Sequence, residues 1–398
     1  MHSPHNRRRA RGGSWSLLFP ALLIVCLLGL TGCSLTDNPD QDTTVVAHVP
    51  TPTPGPSQAV TLRTIHMLDA QTGWAVTQDG HVLHTTTGTT QWHDVSPAVR
   101  EPVPTFGTAT FLDAENAWIA GRVNDKISIW RTYTGGDFWL ESPLPLTGQD
   151  VTGINFINPQ NGWLLLKTAN SADNNQPIAV LSTLDGGQDW IQINNVDQPN
   201  TSNANTLPLA GDKTGLSFSD INQGWITGTT AGDKTPFFYH TKDGGNTWKQ
   251  QTLTAPNEST IRTFPPMFST QNDGVMPAEL ADNGHAALIY TTHDGGVTWN
   301  NSAPNTSITA TVSFIDGNQG WAVGSDNKGG SIYSTRDSGK TWDHLSQLGG
   351  DVVNVSSLQF ITTNNGWAIG STKADTTQLY QTTNGGKTWS PVTTTART

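Results

Sequence analysis

One eight-residue pattern returns seven times along this chain, and it restricts the fold more than any other feature. Its fullest copy is Ser182-Thr183-Leu184-Asp185-Gly186-Gly187-Gln188-Asp189-Trp190. The pattern Ser/Thr-x-Asp-Gly-Gly-x-x-Trp returns at Thr241–Trp248, Thr292–Trp299 and Thr335–Trp342, and with Asn384 in place of Asp at Thr382–Trp389. Two weaker copies, Thr85–Trp92 and Thr132–Trp139, come first, and consecutive box tryptophans stand 43 to 58 residues apart. A repeat of this period points to stacked copies of one small unit, as in a propeller. Each box lies between short apolar runs such as Ile178–Leu181 and Trp190–Ile193, the signature of a β-hairpin. The glycines supply positive φ in the turn, and the Asp carboxylate accepts bonds from turn amides. Asp185, Asp243, Asp294, Asp337 and Asn384 are therefore read as structural residues. Seven equivalent turns point to a shared structural duty, not to seven active sites.

A second landmark precedes most boxes: an aromatic residue, a polar turn, then Gly-Trp and an apolar run. Phe156…Gly162-Trp163, Phe314…Gly320-Trp321 and Phe360…Gly366-Trp367 show it, Trp74, Trp118 and Trp225 mark the same place, and Gly274-Val275 breaks it. Each unit then reads as four strands, with its paired tryptophans packed between neighbouring units. Trp130, on the third strand of unit two, falls outside that pairing. With 40 Gly, 23 Pro and no long helical periodicity after residue 35, the chain is expected to be all-β: a seven-bladed β-propeller with four-stranded blades, residues 59–398. The last strand, Thr388–Thr395, reads as blade seven's own fourth strand. That leaves no strand to clasp the ring, so inner-strand packing of blade seven on blade one is the expected closure.

The N-terminus reads as a targeting segment. Arg7, Arg8, Arg9 and Arg11 precede the apolar run Leu17–Leu30, which is short for a membrane-spanning helix. It ends in Leu30-Thr31-Gly32-Cys33, which resembles the lipobox of bacterial lipoproteins. That resemblance implies a signal peptide over residues 1–32, lipid on Cys33 and an extracytoplasmic, membrane-anchored domain. Residues 33–58, with the Pro50–Pro56 run, form a stiff polar tether. Cys26 and Cys33 are the only cysteines, so neither a disulfide framework nor a cysteine metal site is available. The formal charge is −11, and it becomes more negative once the four leading arginines leave. Such a surface disfavours nucleic acid and anionic headgroups.

The boxes resemble the Asp-box, or BNR, repeats of sialidases, sortilin-type receptors and some endoglucanases. The paired Gly-Trp-Ala-Val-Gly and Thr-x-Asp-Gly-Gly-x-Thr-Trp resembles the photosystem II stability/assembly factor family of seven-bladed propellers. The resemblance implies a seven-bladed propeller of about this size, exported or lipid-anchored. Its photosynthetic members are associated with an arginine-rich patch, whereas here Arg63, Arg100, Arg122, Arg131, Arg262, Arg336 and Arg397 are scattered over the blades. The sialidase resemblance would require a Tyr–Glu nucleophile pair. Tyr133, Tyr239, Tyr290, Tyr333 and Tyr380 instead lie in or just before boxes, as strand residues.

Hydrolysis of another glycan would need two carboxylates across a cleft, and Glu is scarce: Glu101, Glu115, Glu141, Glu258 and Glu279. His81, His84 and His93 cluster in blade one, but residues 81 and 84 would point to opposite faces of a strand, which spoils chelation. No metal or cofactor site and no phosphate-binding Gly loop is read from the sequence. Binding is expected on the face away from the boxes, which collects the irregular links Ser96–Phe106, Glu141–Val151, Asn194–Leu216, Thr254–Thr263 and Gly349–Val355. Arg100, Glu101, Asp150, Asp197, Arg262 and Asp351 are the candidates there. The expected function is a monomeric scaffold or assembly factor for an unidentified protein or membrane-protein assembly, without catalysis. A carbohydrate-binding or glycan-hydrolysing propeller is the alternative.

Overall fold

The computed structural model describes residues 45–46, 56–99, 105–123, 126–198, 205–256, 259–280, 286–325, 329–349 and 351–397. The signal segment, Cys33, Arg100 and Glu101 lie outside the described residues. Seven sheets follow one another along the chain, each built on four antiparallel strands, as expected. Blade three shows the plan with Asp150–Phe156, Gly162–Lys167, Ile178–Thr183 and Ile191–Val196 hydrogen-bonded in that order. Gly162 pairs with both Phe156 and Thr183, so the first turn and the box turn share one face of the ring. Lys167 pairs with Asp150 and Ile178, placing the other loops and the links on the opposite face. Among the described residues no helix is long and apolar enough to cross a membrane.

The repeated residues pack as a three-ring unit across the seams between blades two and three, three and four, four and five, and six and seven. The Gly-Trp indole of one blade lies flat on the Phe of the next. Ring centroids are 3.6 Å apart for Trp118–Phe156, 3.9 Å for Trp163–Phe218 and 3.8 Å for Trp321–Phe360. The box Trp of that next blade then meets the same Phe edge-on, as in Phe156–Trp190 at 85° and Phe360–Trp389 at 82°. Both geometries suit the ring quadrupole, and each buries a large apolar area. Gly162, Gly224, Gly320 and Gly366, each before a tryptophan, lie under the Phe ring of their own blade; a Cβ on Gly162 would sit 2.5 Å from Phe156. The indole N–H then reaches the next box: Trp118, Trp163 and Trp321 donate to the carbonyls of Gly186, Gly244 and Gly385 at 2.7, 2.9 and 3.0 Å. Trp130 is also buried, edge-on to Phe106 in the core between blades one and two.

Blade five departs from the plan where its sequence does. Its first strand is split into Ile261–Thr263 and Met267–Phe268, both paired with Gly274–Leu280. Pro265 and Pro266 fall in the gap, and a proline cannot donate to the ladder.

Ring closure differs from the sequence expectation. Blade seven's fourth strand is only Ser390–Val392. Thr395–Arg397 crosses to blade one and runs parallel to its outer strand, Gln91–Asp94, with Gln58–Ala59 on its other side. The chain ends are tied there: Val60 N–H donates to the Thr394 carbonyl at 3.1 Å, and the Thr394 hydroxyl donates to the Val60 carbonyl at 2.7 Å. On the inner strands, Gln359 accepts from Met67 N–H at 2.7 Å and donates to its carbonyl at 3.0 Å. Trp367, Ile369 and Leu379 of blade seven share one core with Met67, Leu83, Trp92 and Ala396. Closure therefore combines inner-strand packing with an outer clasp. Within the segment read as tether, Val45–Val46 pairs with Leu140 and Trp139 at the outer edge of blade two.

Candidate functional site

The box face is chemically quiet. In blade three the Thr183 hydroxyl donates to the Asp185 carboxylate at 2.8 Å and accepts from Gly187 N–H. The same carboxylate accepts from the amides of Gln188 and Asp189. In Asp294, bonds from the Thr298 hydroxyl and amide hold the carboxyl below its ordinary range. For Asp185, Asp243 and Asp337 burial pushes the other way, and the turn hydrogen bonds outweigh it. These carboxylates serve their own turns. In blade two the Thr134 hydroxyl takes over part of the duty, accepting from Phe138 N–H at 3.0 Å.

On the opposite face the first strands carry a recurrent bulge. Register shifts occur between Leu62 and Thr64, Val151 and Gly153, and Lys213 and Gly215. A bulge re-aims a side chain, and several side chains near these positions reach the next blade. The Thr108 hydroxyl donates to the Val151 carbonyl and that of Thr214 to the Thr263 carbonyl, both at 2.6 Å. At blade one the bulged residue is Arg63, whose guanidinium reaches the Gly107 carbonyl of blade two at 3.2 Å. A long arm at a position held by threonine in blades three and four goes with an open seam. A cavity of about 500 Å³ lies there, lined by Arg63, Ile65, His66, Ala109, Phe111 and Asp150 among others. A second hollow of about 530 Å³ adjoins it through Arg63 and includes His81, Ser96 and Phe106. Burial lowers the pKa of His66, which favours a neutral imidazole at neutral pH.

Among the expected binding residues, Asp150, Asp197, Arg262 and Asp351 lie on this link face, but the structure does not gather them. Asp150 lines the cavity, its carboxylate accepting from Val151 N–H at 2.9 Å. Asp197 is exposed just past the end of blade three's outer strand. Arg262 stands 5.7 Å over the Phe264 ring in blade five. Asp351 precedes blade seven's first strand, where its carbonyl accepts from Lys373 N–H. The sequence reading counted Arg63 only among scattered arginines and passed over His66. A signal was present, because aligning the first strands puts Arg63 opposite Thr152 and Thr214.

The blade-one histidines do not converge. His84 stacks on Trp74 at 4.3 Å, while His81 Nδ1 lies 2.6 Å from Asp94. No group of three or more His, Cys, Asp or Glu is placed to hold a metal ion among the described residues.

The link face also contains a buried cation. Lys213 is 3% exposed and occupies the bulge-row position held by Leu62 and Val151 in blades one and three. Its Nζ donates to the carbonyls of Gln176, Leu209, Ala210 and Gly211 at 2.8–3.2 Å, and it lies 5.3 Å over the Phe237 ring. Burial pushes its pKa down to about 7, while the four carbonyls favour the ammonium. The result pins the long blade three–four link to the loop within blade three.

These features define the class: a seven-bladed β-propeller built on BNR-type Asp-box turns. Two family models match parts of the chain: "Photosynthesis system II assembly factor YCF48" over residues 134–306 and "Sortilin, neurotensin receptor 3" over residues 287–398. Among solved structures, YCF48 bound to D1 peptide is similar at 20% identity and a TM-score of 0.50, covering 74% of this chain and 84% of that one. YCF48 from Cyanidioschyzon merolae is similar at 18% identity and a TM-score of 0.52, covering 84% and 98%. The GH74 enzyme of Niastella koreensis is similar at 13% identity and a TM-score of 0.57; the match covers 90% of this chain but only 55% of the enzyme. At these identities the likeness is one of fold. Among curated proteins, none matches the chain.

Proposed function

We propose that this chain is a lipid-anchored, extracytoplasmic scaffold that holds a segment of a partner protein in the cleft between blades one and two, without chemistry on it. The observation that carries this reading is the cleft spanned by Arg63. Its guanidinium has a backbone carbonyl as its partner, beside an apolar floor of Ile65, Ala109 and Phe111. A cation above an apolar floor suits an extended segment with an acceptor group and an adjoining apolar side chain. The likeness to YCF48 bound to D1 peptide supports protein binding by this type of propeller, and Cys33 would carry the anchor. Asp150 is the one carboxylate among the residues lining the cavity, whereas glycoside hydrolysis ordinarily needs two.

The test is cross-linking co-purification of the tagged full-length chain from its native membranes, beside Arg63→Glu. One stoichiometric protein partner, lost in the variant at unchanged Tm, is the expected result. Recovery of envelope glycan without a protein partner would overturn the proposal and make GH74-type hydrolysis the next assay.

A further inference from the structure

A third cavity, of about 400 Å³, opens on the box face between blades six and seven. Its lining includes Arg336, Lys387, Gln319, Ser334, Asn364 and Asn384, and it contains no carboxylate. In a chain of net charge −11, two cations facing one hollow are out of character. Among the described residues no carboxylate is within ion-pair distance of either.

Two comparisons within the molecule explain how the hollow arises. Ser334 pairs with Trp321 as Arg131 pairs with Trp118, so the two hold equivalent places in blades six and two. Arg131 reaches across its seam to the Asp185 carbonyl and the Gln188 side chain, both at 3.4 Å. Ser334, like Ser182 in blade three, is too short to cross its seam in this way. The second comparison concerns box seven. Asn384 Oδ1 accepts from the Thr382 hydroxyl and from Thr388 N–H, both at 3.0 Å. In box four Asp243 accepts the corresponding bonds from Thr241 and Thr247 at 2.8 and 2.9 Å. Asn384 Nδ2 donates to the Thr388 hydroxyl, where Asp243 instead accepts from the Thr247 hydroxyl. The turn is conserved in geometry, and the negative charge at the edge of the hollow is gone.

We propose that this hollow binds the anionic group of a sugar-sized polar ligand, a sugar acid or a sugar phosphate. Arg336 and Lys387 hold the charge, and the amides and hydroxyl of Gln319, Asn364 and Ser334 meet ligand hydroxyls. The site is on the face opposite the Arg63 cleft and does not depend on the protein-binding reading.

The full-length protein is titrated with glucuronate, glucose 6-phosphate, inorganic phosphate and glucose, following saturation-transfer NMR and calorimetry. Binding of glucuronate or glucose 6-phosphate, but not glucose, is expected, and the anion that binds identifies carboxylate or phosphate as the recognised group. Asn384→Asp restores the charge within the same turn and is expected to weaken binding at least tenfold at unchanged Tm; Arg336→Gln with Lys387→Gln should abolish it. The proposal is overturned if neither sugar anion binds, if glucose binds equally, or if Asn384→Asp binds like the parent. Inorganic phosphate binding as tightly as the sugar anions would overturn the sugar assignment.

Discussion

The two faces of this propeller are held by different physics. On the box face the turns of blades three to seven close on themselves through a threonine hydroxyl and an Asp or Asn side chain, and nearly the same bonds recur from blade to blade. On the link face the contacts are singular: Arg63 spans one seam and Lys213 pins one link, and at the outer edge the chain's last strand, equally without a counterpart, lies on blade one. Repetition spreads stability over many equivalent turns, so the loss of one turn is local. A singular contact has no substitute. The proposed protein-binding cleft also lies where the repeat is broken, since a long arginine replaces the short threonine of blades three and four.

That contrast is tested most severely at the clasp. Ending the chain at Thr393 removes the Thr395–Arg397 strand and both Thr394–Val60 bonds. At about 1 kcal/mol per lost bond, together with burial of Ala396, the loss should be on the order of 5 kcal/mol, a large share of a domain's stability. Denaturant unfolding measures it, and an unchanged midpoint would show that inner-strand packing alone closes the ring. Next comes Lys213→Met, which keeps most of the length of the side chain but leaves the four carbonyls around Nζ without their donor. A destabilisation of about 3 kcal/mol is expected, with amide exchange rising first over residues 205–211. A uniform rise across all blades would instead mean that the cage is not local.

Glycine substitutions compare the faces directly. Gly296 sits in box five at φ +83°, and a Cβ there runs into the Trp225 ring; Gly232, on a link-face loop at φ +75°, has nothing within 4 Å. Gly296→Ala should lose about 3 kcal/mol through strain and overpacking, and Gly232→Ala about 1 kcal/mol from φ alone. Equal Tm shifts would show that the box turn can relax away from the indole.

The smallest effect is that of pH. Asp185, Asp243, Asp294 and Asp337 all have lowered carboxyl pKa values. Their contribution is complete above the unfolded carboxylate value near ~3.9 and is lost as pH falls through the lower folded values. Asn384 has no such proton to take up. Asp294→Asn should therefore flatten the acid limb of the stability profile slightly while leaving stability at pH 7 nearly unchanged.

Much of the fold was legible because its determinants are close in sequence. Thr183, Asp185 and Gly187 bond to one another within one turn, and the Phe156…Gly162-Trp163 spacing marks a first strand and the start of the second. The candidate site was less legible. The pattern puts Asp150 on the link face, where it lies, but Arg63 and Phe111 meet across a seam whose width no local pattern records. Lys213 was also visible as an anomaly, a lysine in a row otherwise held by Leu62 and Val151, yet its four acceptors become apparent only once the link is folded.

By itself, then, the sequence determined the all-β class, the number of blades, the turn chemistry and the face on which the links lie. Each of these follows from hydrogen bonds and side-chain alternation within a few tens of residues. Tertiary structure decided how the ring closes, which seam opens and where cations gather. Those outcomes join residues as distant as Val60 and Thr394, or Arg336 and Lys387. They depend on how each blade settles against its neighbour, which is a property of packed surfaces and not of local pattern.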